Sequence, residues 1–204
     1  MLINAIRAHC AEFGLITPQG TRGARDLIEQ ANSSVLPDIA RDVVTLMAEQ
    51  LQAVVTQIQT LNRRLLAWHR QDQASQRLAT IPGVGVISAT ALAASVTDPS
   101  QFRSGREFAA SLGLVPRQNS SGGKDKLGRI SKMGDRYLRK LLVVGASSVV
   151  RRARTADTTA ANWVRGLLER KPARLVTVAM ANKTARIVWA VLARGETYRS
   201  PVPV

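Results

Sequence analysis

The chain has 204 residues, 45% apolar and 4% aromatic, enough for one sizeable core or two small ones. A single cysteine, Cys10, and two histidines, His9 and His69, exclude a disulfide and a Cys/His metal cluster, while no uninterrupted apolar run approaches the ~18 to 20 residues of a membrane span. Charge is uneven: residues 1–100 hold eight Lys/Arg and eight Asp/Glu, residues 101–204 hold twenty-one and six, so the formal +15 (29 minus 14) lies in the second half.

Residues 2–13, LINAIRAHCAEF, predict a short helix that ends at Gly14, with Pro18 and Gly20 in the connector. A second short helix is expected over Gly23–Gln30. From Val44 the apolar residues keep a three-four spacing through Met47, Leu51, Val54, Ile58, Leu61, Leu65 and Trp68, flanked by Gln50, Gln52, Gln57, Gln59, Asn62, Arg63 and Arg64. A stripe this narrow suits another helix, as in a coiled coil or helical hairpin. An ordinary amphipathic helix packed within its own domain has the same spacing.

The segment IPGVGVISATALAASV, residues 81–96, has the pattern of a helix-hairpin-helix turn. Gly83 and Gly85 would let the backbone approach a phosphate, and amides at the start of the following helix would point at it. A Gly-rich tight turn between two packed helices, with no ligand, reads equally well. After Asp98-Pro99, FRSGREFAASLGLVP predicts a helix that stops at Gly113 and Pro116.

Residues 117–154 hold eleven Lys/Arg and two Asp, with glycines early and a helix from about Asp135 onward. Tyr137, Leu138, Leu141 and Leu142 should form its apolar face, with Arg136, Arg139 and Lys140 off it. Two further helices are expected, Asn162–Glu169 and Ala173–Ala193. Trp163 and Trp189 sit among apolar neighbours and read as core or partner-facing. Cations this concentrated are the footprint of nucleic-acid contact, because neutralised phosphates release counterions.

In Gln118-Asn119-Ser120-Ser121-Gly122-Gly123-Lys124, Gly122 and Gly123 could expose backbone donors to an anion, and Lys124, Lys126 and Arg129 could hold a phosphate. A serine here has a cationic setting but no base in the motif. A flexible surface loop has the same composition. Arg117, Lys132, Arg136, Arg139 and Lys140 complete the expected nucleic-acid-binding set.

Taken in order, IPGVGVISATALAA, FRSGREFAASLGLVPRQNSSGGKDKLGRISKMGDRYLRKLLVVGA and ANKTARIVWAVLARGETYR resemble the C-terminal transposase domain of the insertion-sequence one-ten family, one-eleven-eleven branch. The resemblance implies a DNA recombinase of the bacterial cytoplasm, nucleoid-associated, with DNA and a structured guide RNA as partners. It implies that Ser121, with Ser120 its rival, attacks a DNA phosphate and holds the strand end as a phosphoserine ester. It also implies an N-terminal RuvC-like domain whose acidic residues bind Mg2+. No strand-rich acidic segment precedes the helical stripe, so this chain is expected to be a truncated frame or fragment that binds no metal itself.

The expected fold is all-α: a connector over 1–34, a coiled coil over 35–76 that makes a homo-oligomer, and a helical transposase domain over 77–204 with a helix-hairpin-helix element. The leading functional expectation is DNA transposition with a serine nucleophile, the chain alone being inactive. A catalytically inactive nucleic-acid-binding remnant is the alternative, and a coiled-coil scaffold with incidental charge is a third.

Overall fold

In the computed structural model, which describes residues 2–33, 36–118 and 127–200, the chain divides into two units, Met1–Arg64 and Leu65–Val204. The first is built on helical spacing. Helix α1 (Leu2–Glu12) buries Ile6 and Cys10, one turn apart, and α2 (Thr21–Ser33) buries Gly23, Ala24, Leu27 and Ala31. Leu36 and Val44 complete this small core, and burial raises the Cys10 thiol above its usual range. The connector between α1 and α2 is pinned by Arg7, which donates to the carbonyls of Thr17 (3.0 Å) and Pro18 (2.7 Å).

Helix α3 runs unbroken over Asp38–Gln71. Its stripe is used unevenly: Val44 is buried and Met47 and Leu51 are half-buried against the small core, whereas Val54, Ile58 and Leu61 are 43%, 52% and 62% exposed. Trp68, at the far end of the stripe, is also exposed.

The second unit begins with the end of α3 and α4 (Gln73–Ala79). Asp72 caps α4 by accepting from the Ser75 amide at 2.6 Å, and the buried Ser75 hydroxyl lies 2.7 Å from His69 Nδ1. Helix α5 (Val86–Ser95) follows a short turn, so α4 and α5 form the helix-hairpin-helix the sequence predicts. A 3-10 turn at Pro99–Gln101 leads to α6 (Gly105–Ser111), whose start is fixed by Ser104 accepting from the Glu107 amide. Helices α7 (Arg136–Arg152) and α8 (Thr159–Leu168) are capped by Asp135 and Thr158 in the same way.

Helix α9 (Ala173–Arg194) is long and apolar enough to span a bilayer by length and composition alone. It is instead the central core helix of its unit. Val176, Met180, Ala181, Thr184, Ala185, Val188 and Val191 are all buried, in one cluster with Leu78, Leu92, Phe108, Leu138, Leu142 and Val164.

Two features depart from the expected fold. A two-stranded antiparallel ribbon, β1 (Pro116–Gln118) and β2 (Leu127–Ile130), stands where only loop was expected. Strands of three and four residues are too short to show a period-two pattern, so nothing in the sequence marks them. Tyr137, expected on the apolar face of α7, is 56% exposed; the buried residues are Leu138, Leu142 and Ala146, and Leu141 is half-buried.

Candidate nucleic-acid interface

The ribbon sets the geometry of the basic block. Pro116 pairs with Ile130 and Gln118 with Leu127, across an irregularity in register. Arg117 crosses the ribbon and donates to the Ser131 carbonyl at 3.2 Å. Ser120, Ser121, Gly122, Gly123, Lys124 and Lys126 lie outside the described residues.

Beyond β2 the chain turns sharply. Lys132 adopts a left-handed conformation (φ 57°), and Gly134 (φ 76°) lies against the end of α6, where a Cβ would overlap the Ser111 carbonyl oxygen. Arg139 locks this turn. Its Nη1 donates to the carbonyls of Leu112 (2.9 Å) and Met133 (3.0 Å), so the side chain read as exposed ties two backbone segments together.

The α4–α5 turn separates its two glycines. Gly83 (φ 86°) lies against α7 at Gly145: a Cβ on Gly83 would sit 2.9 Å from the Gly145 oxygen, and one on Gly145 would overlap the Gly83 oxygen. Its smallness therefore serves backbone packing. Gly85 faces open space at the start of α5, with no side-chain cap, so the first-turn amides of α5 have no side-chain acceptor.

A larger feature was not foreseen as one site. A groove of about 1440 Å3 is lined by residues of β2, α8, α9 and the start of α6, where Gly105 lies directly against the α9 backbone at Arg186. Its lining includes Arg106, Arg129, Lys132, Arg174, Lys183 and Arg186, with no Asp or Glu among the described lining residues. Lys183 Nζ stands 4.2 Å from the centroid of the Trp163 ring, a cation–π contact. Burial holds the Lys183 ammonium below the usual lysine range, and the nearby Arg186 charge adds to the effect. Trp189, also in the wall, is oriented by its indole N–H, which donates to the Pro99 carbonyl at 3.1 Å.

Of the residues expected to bind nucleic acid, the groove gathers Arg129 and Lys132. Arg136 and Lys140 are exposed on α7 and do not line it. Arg106, Arg174, Lys183, Arg186 and Trp163 were not singled out by sequence as binding residues. No periodic signal marks them: Arg174 and Lys183 fall on opposite sides of a helical projection of α9, and Ile187 projects within its core stripe.

Among the described residues the cations of the second unit have no ion-pair partner. Among the described residues the single ion pair is Arg41–Asp38, at 3.3 Å in the first unit. The six lining cations make no side-chain hydrogen bond or ion pair to another described residue, so their field is directed outward. Among the described residues no three His, Cys, Asp or Glu side chains gather as a metal site.

Residues 75–161 match the family model described as "Transposase IS116/IS110/IS902 family". The chain is 44% identical over 200 residues to a protein named "Putative transposase y4pF/y4sB" of Sinorhizobium fredii, across 97% of this chain and 52% of that protein. It is 45% identical over 202 residues to a "Probable family 20 transposase" of Pseudomonas aeruginosa, across 97% of this chain and 60% of the relative. With the "Transposase for insertion sequence element IS1111A" of Coxiella burnetii it shares 38% identity over 207 residues, across 97% of this chain and 55% of the other. The chain thus spans between about half and three fifths of the length of these curated relatives.

Proposed function

We propose that this chain, whose residues 75–161 carry a transposase domain of the IS116/IS110/IS902 family, is the part of a transposase that grips nucleic acid during DNA transposition. One observation carries the reading: the second half holds twenty-one Lys/Arg against six Asp/Glu, and among its described residues no ion pair absorbs that charge. A surface that only kept the protein soluble would mix both signs, whereas a phosphate-binding surface is rich in one.

Arg117, Arg129, Lys132, Arg136 and Lys140 contact phosphates in this reading, and the open first turn of α5 at Gly85 adds a contact blind to sequence. Ser121, with Ser120 its rival, is the nucleophile. Its oxygen forms a bond to a DNA phosphorus, the phosphorus–oxygen bond to one strand end breaks, and that oxygen leaves with the serine's proton. The phosphoserine ester keeps the phosphate's oxidation state, and attack by the incoming strand's hydroxyl reverses the exchange. The described residues gather no carboxylate set fit for Mg2+, so no step is routed through that ion, which we place in another part of the transposase; a structured guide RNA is a second proposed partner of this chain's basic half. The exposed Val54, Ile58 and Leu61 of α3 support self-association through that helix.

The test is binding of the chain to a DNA duplex across a salt series, followed by a denaturing-gel assay for a protein–DNA adduct with a transposase RuvC-like domain added. Steep loss of affinity with salt supports the grip. An adduct abolished by Ser121→Ala and kept by Ser120→Ala assigns the nucleophile. Salt-sensitive binding without any adduct favours the binding-only alternative, and absence of binding at low salt overturns the reading.

A further inference from the structure

The groove between β2 and α9 has a composition that suits one conformation of nucleic acid better than another. Its lining joins cations to apolar side chains: Leu175, Val178, Ile187 and the Trp163 ring line it together with the Arg and Lys residues. Leu175 is 52% exposed although it belongs to the main core helix. A DNA duplex presents phosphates outward and keeps its base faces stacked inside, so it gains nothing from an apolar lining. An unpaired strand offers both phosphates and apolar base faces. The volume, about 1440 Å3, exceeds the roughly 300–1,000 Å3 of pockets for drug-sized ligands and suits an extended one.

We propose that this groove holds an unpaired DNA strand, with phosphates on Arg106, Lys132, Arg174 and Arg186 and bases laid on the apolar lining against Trp163. The inference rests on the nucleic-acid-binding function proposed above and names a second ligand state for it. The strand is assigned as DNA because the proposed function acts on DNA; among the described lining residues no Asp or Glu stands ready to accept from a 2′-hydroxyl. Lys183 stands over one face of the Trp163 ring, so a base that takes that face displaces the ammonium, which is free to move to a phosphate.

The experiment measures fluorescence anisotropy of the full chain with labelled oligo-dT and with a duplex of equal length, together with tryptophan emission. The groove pair Arg174→Ala/Arg186→Ala should weaken oligo-dT binding by roughly tenfold or more and duplex binding by only about two- to threefold. The α7 pair Arg136→Ala/Lys140→Ala should show the reverse preference. Oligo-dT should quench tryptophan emission, and Trp163→Phe should remove most of that quench. Both groove arginines are exposed, so the double variant should keep the helical circular dichroism of the parent.

Equal loss for strand and duplex in the groove variant, or an unchanged quench in Trp163→Phe, overturns the inference. A parent chain that binds duplex but not oligo-dT also overturns it while leaving the proposed function standing. A chain that binds neither overturns the proposed function itself. Tighter binding of oligo-U through the same two arginines would assign the groove to RNA and overturn the DNA assignment.

Discussion

Gly83 and Gly145 meet backbone to backbone, so that a methyl group on Gly145 would occupy the position of the Gly83 carbonyl oxygen. Gly145 lies inside α7, where replacing glycine by alanine ordinarily stabilises a helix by about 0.5–1 kcal/mol. Here the overlap reverses the sign. Gly145→Ala should destabilise the chain by about 1–3 kcal/mol, the range for overpacking a filled interior. Gly166 in α8 is the internal control, since a Cβ there meets nothing within 4 Å. Gly166→Ala should raise stability by about 0.5–1 kcal/mol, and urea denaturation of both variants checks the difference. A neutral Gly145→Ala would mean that the α4–α5 turn and α7 do not meet backbone to backbone.

Arg139 separates a structural from a ligand-binding role. With Nη1 donating to both Leu112 and Met133 carbonyls, removal of the side chain leaves two acceptors without that partner. Arg139→Ala should cost about 1–3 kcal/mol of stability, while Arg139→Lys, which keeps one charged donor, should retain part of it. DNA affinity of the folded fraction should fall little compared with Arg136→Ala. Lost affinity with unchanged unfolding would instead make Arg139 a phosphate contact.

How far the sequence could be read follows from which signals are local. The helices were legible from periodicity, but their starts only in part: α7 opens at Asp135 as expected, whereas Asp72 caps a new helix inside the span 35–76 expected to be one coiled coil, and Thr158 starts α8 ahead of the expected Asn162. The core side of α9 was legible for the same reason. The ribbon was not, because strands this short are held by cross-strand pairing and by Arg117 bonding to Ser131, 14 residues away. Nor was the role of Gly83: a phosphate-facing glycine and a helix-facing one give the same PGVG, and only the position of Gly145 distinguishes them. The groove is hardest of all to see in sequence, since Arg106, Lys132, Trp163 and Arg186 come from four separate segments. Each alone reads as a surface cation or an ordinary aromatic.

The half-used stripe of α3 predicts an association that can be switched off without touching the core. Ile58 and Leu61 are both more than half exposed, so charging them should leave the small core of α1 and α2 intact. If a second copy covers the stripe, the parent chain sediments as a dimer or higher species, and Ile58→Asp/Leu61→Asp sediments as a monomer with unchanged helicity. A parent chain that is monomeric at tens of micromolar would remove the oligomer from the proposed function. Because each Asp adds a negative charge, weakened DNA binding is assigned to lost avidity when the uncharged pair Ile58→Gln/Leu61→Gln, also monomeric, loses it equally.

Lys183 makes strand binding depend on pH in a direction fixed by its environment. Its ammonium is held below the usual lysine range, first by burial and then by Arg186, so it loses its proton at a lower pH than an exposed lysine. Between that lowered value and the ordinary one the unfolded chain binds more proton than the folded chain, so the contribution of this residue to stability rises with pH across that window. Strand affinity should move the opposite way, falling through the lowered pKa as the groove loses a charge. A bound phosphate should draw the ammonium back toward its usual range, and oligo-dT binding there should take up protons. Calorimetric titrations in two buffers of different ionisation enthalpy would measure that uptake. Lys183→Met should abolish both the uptake and this part of the pH dependence, and Lys183→Arg, charged throughout, should bind strand with little change across the window. Proton uptake that persists in Lys183→Met would assign the effect to a different group.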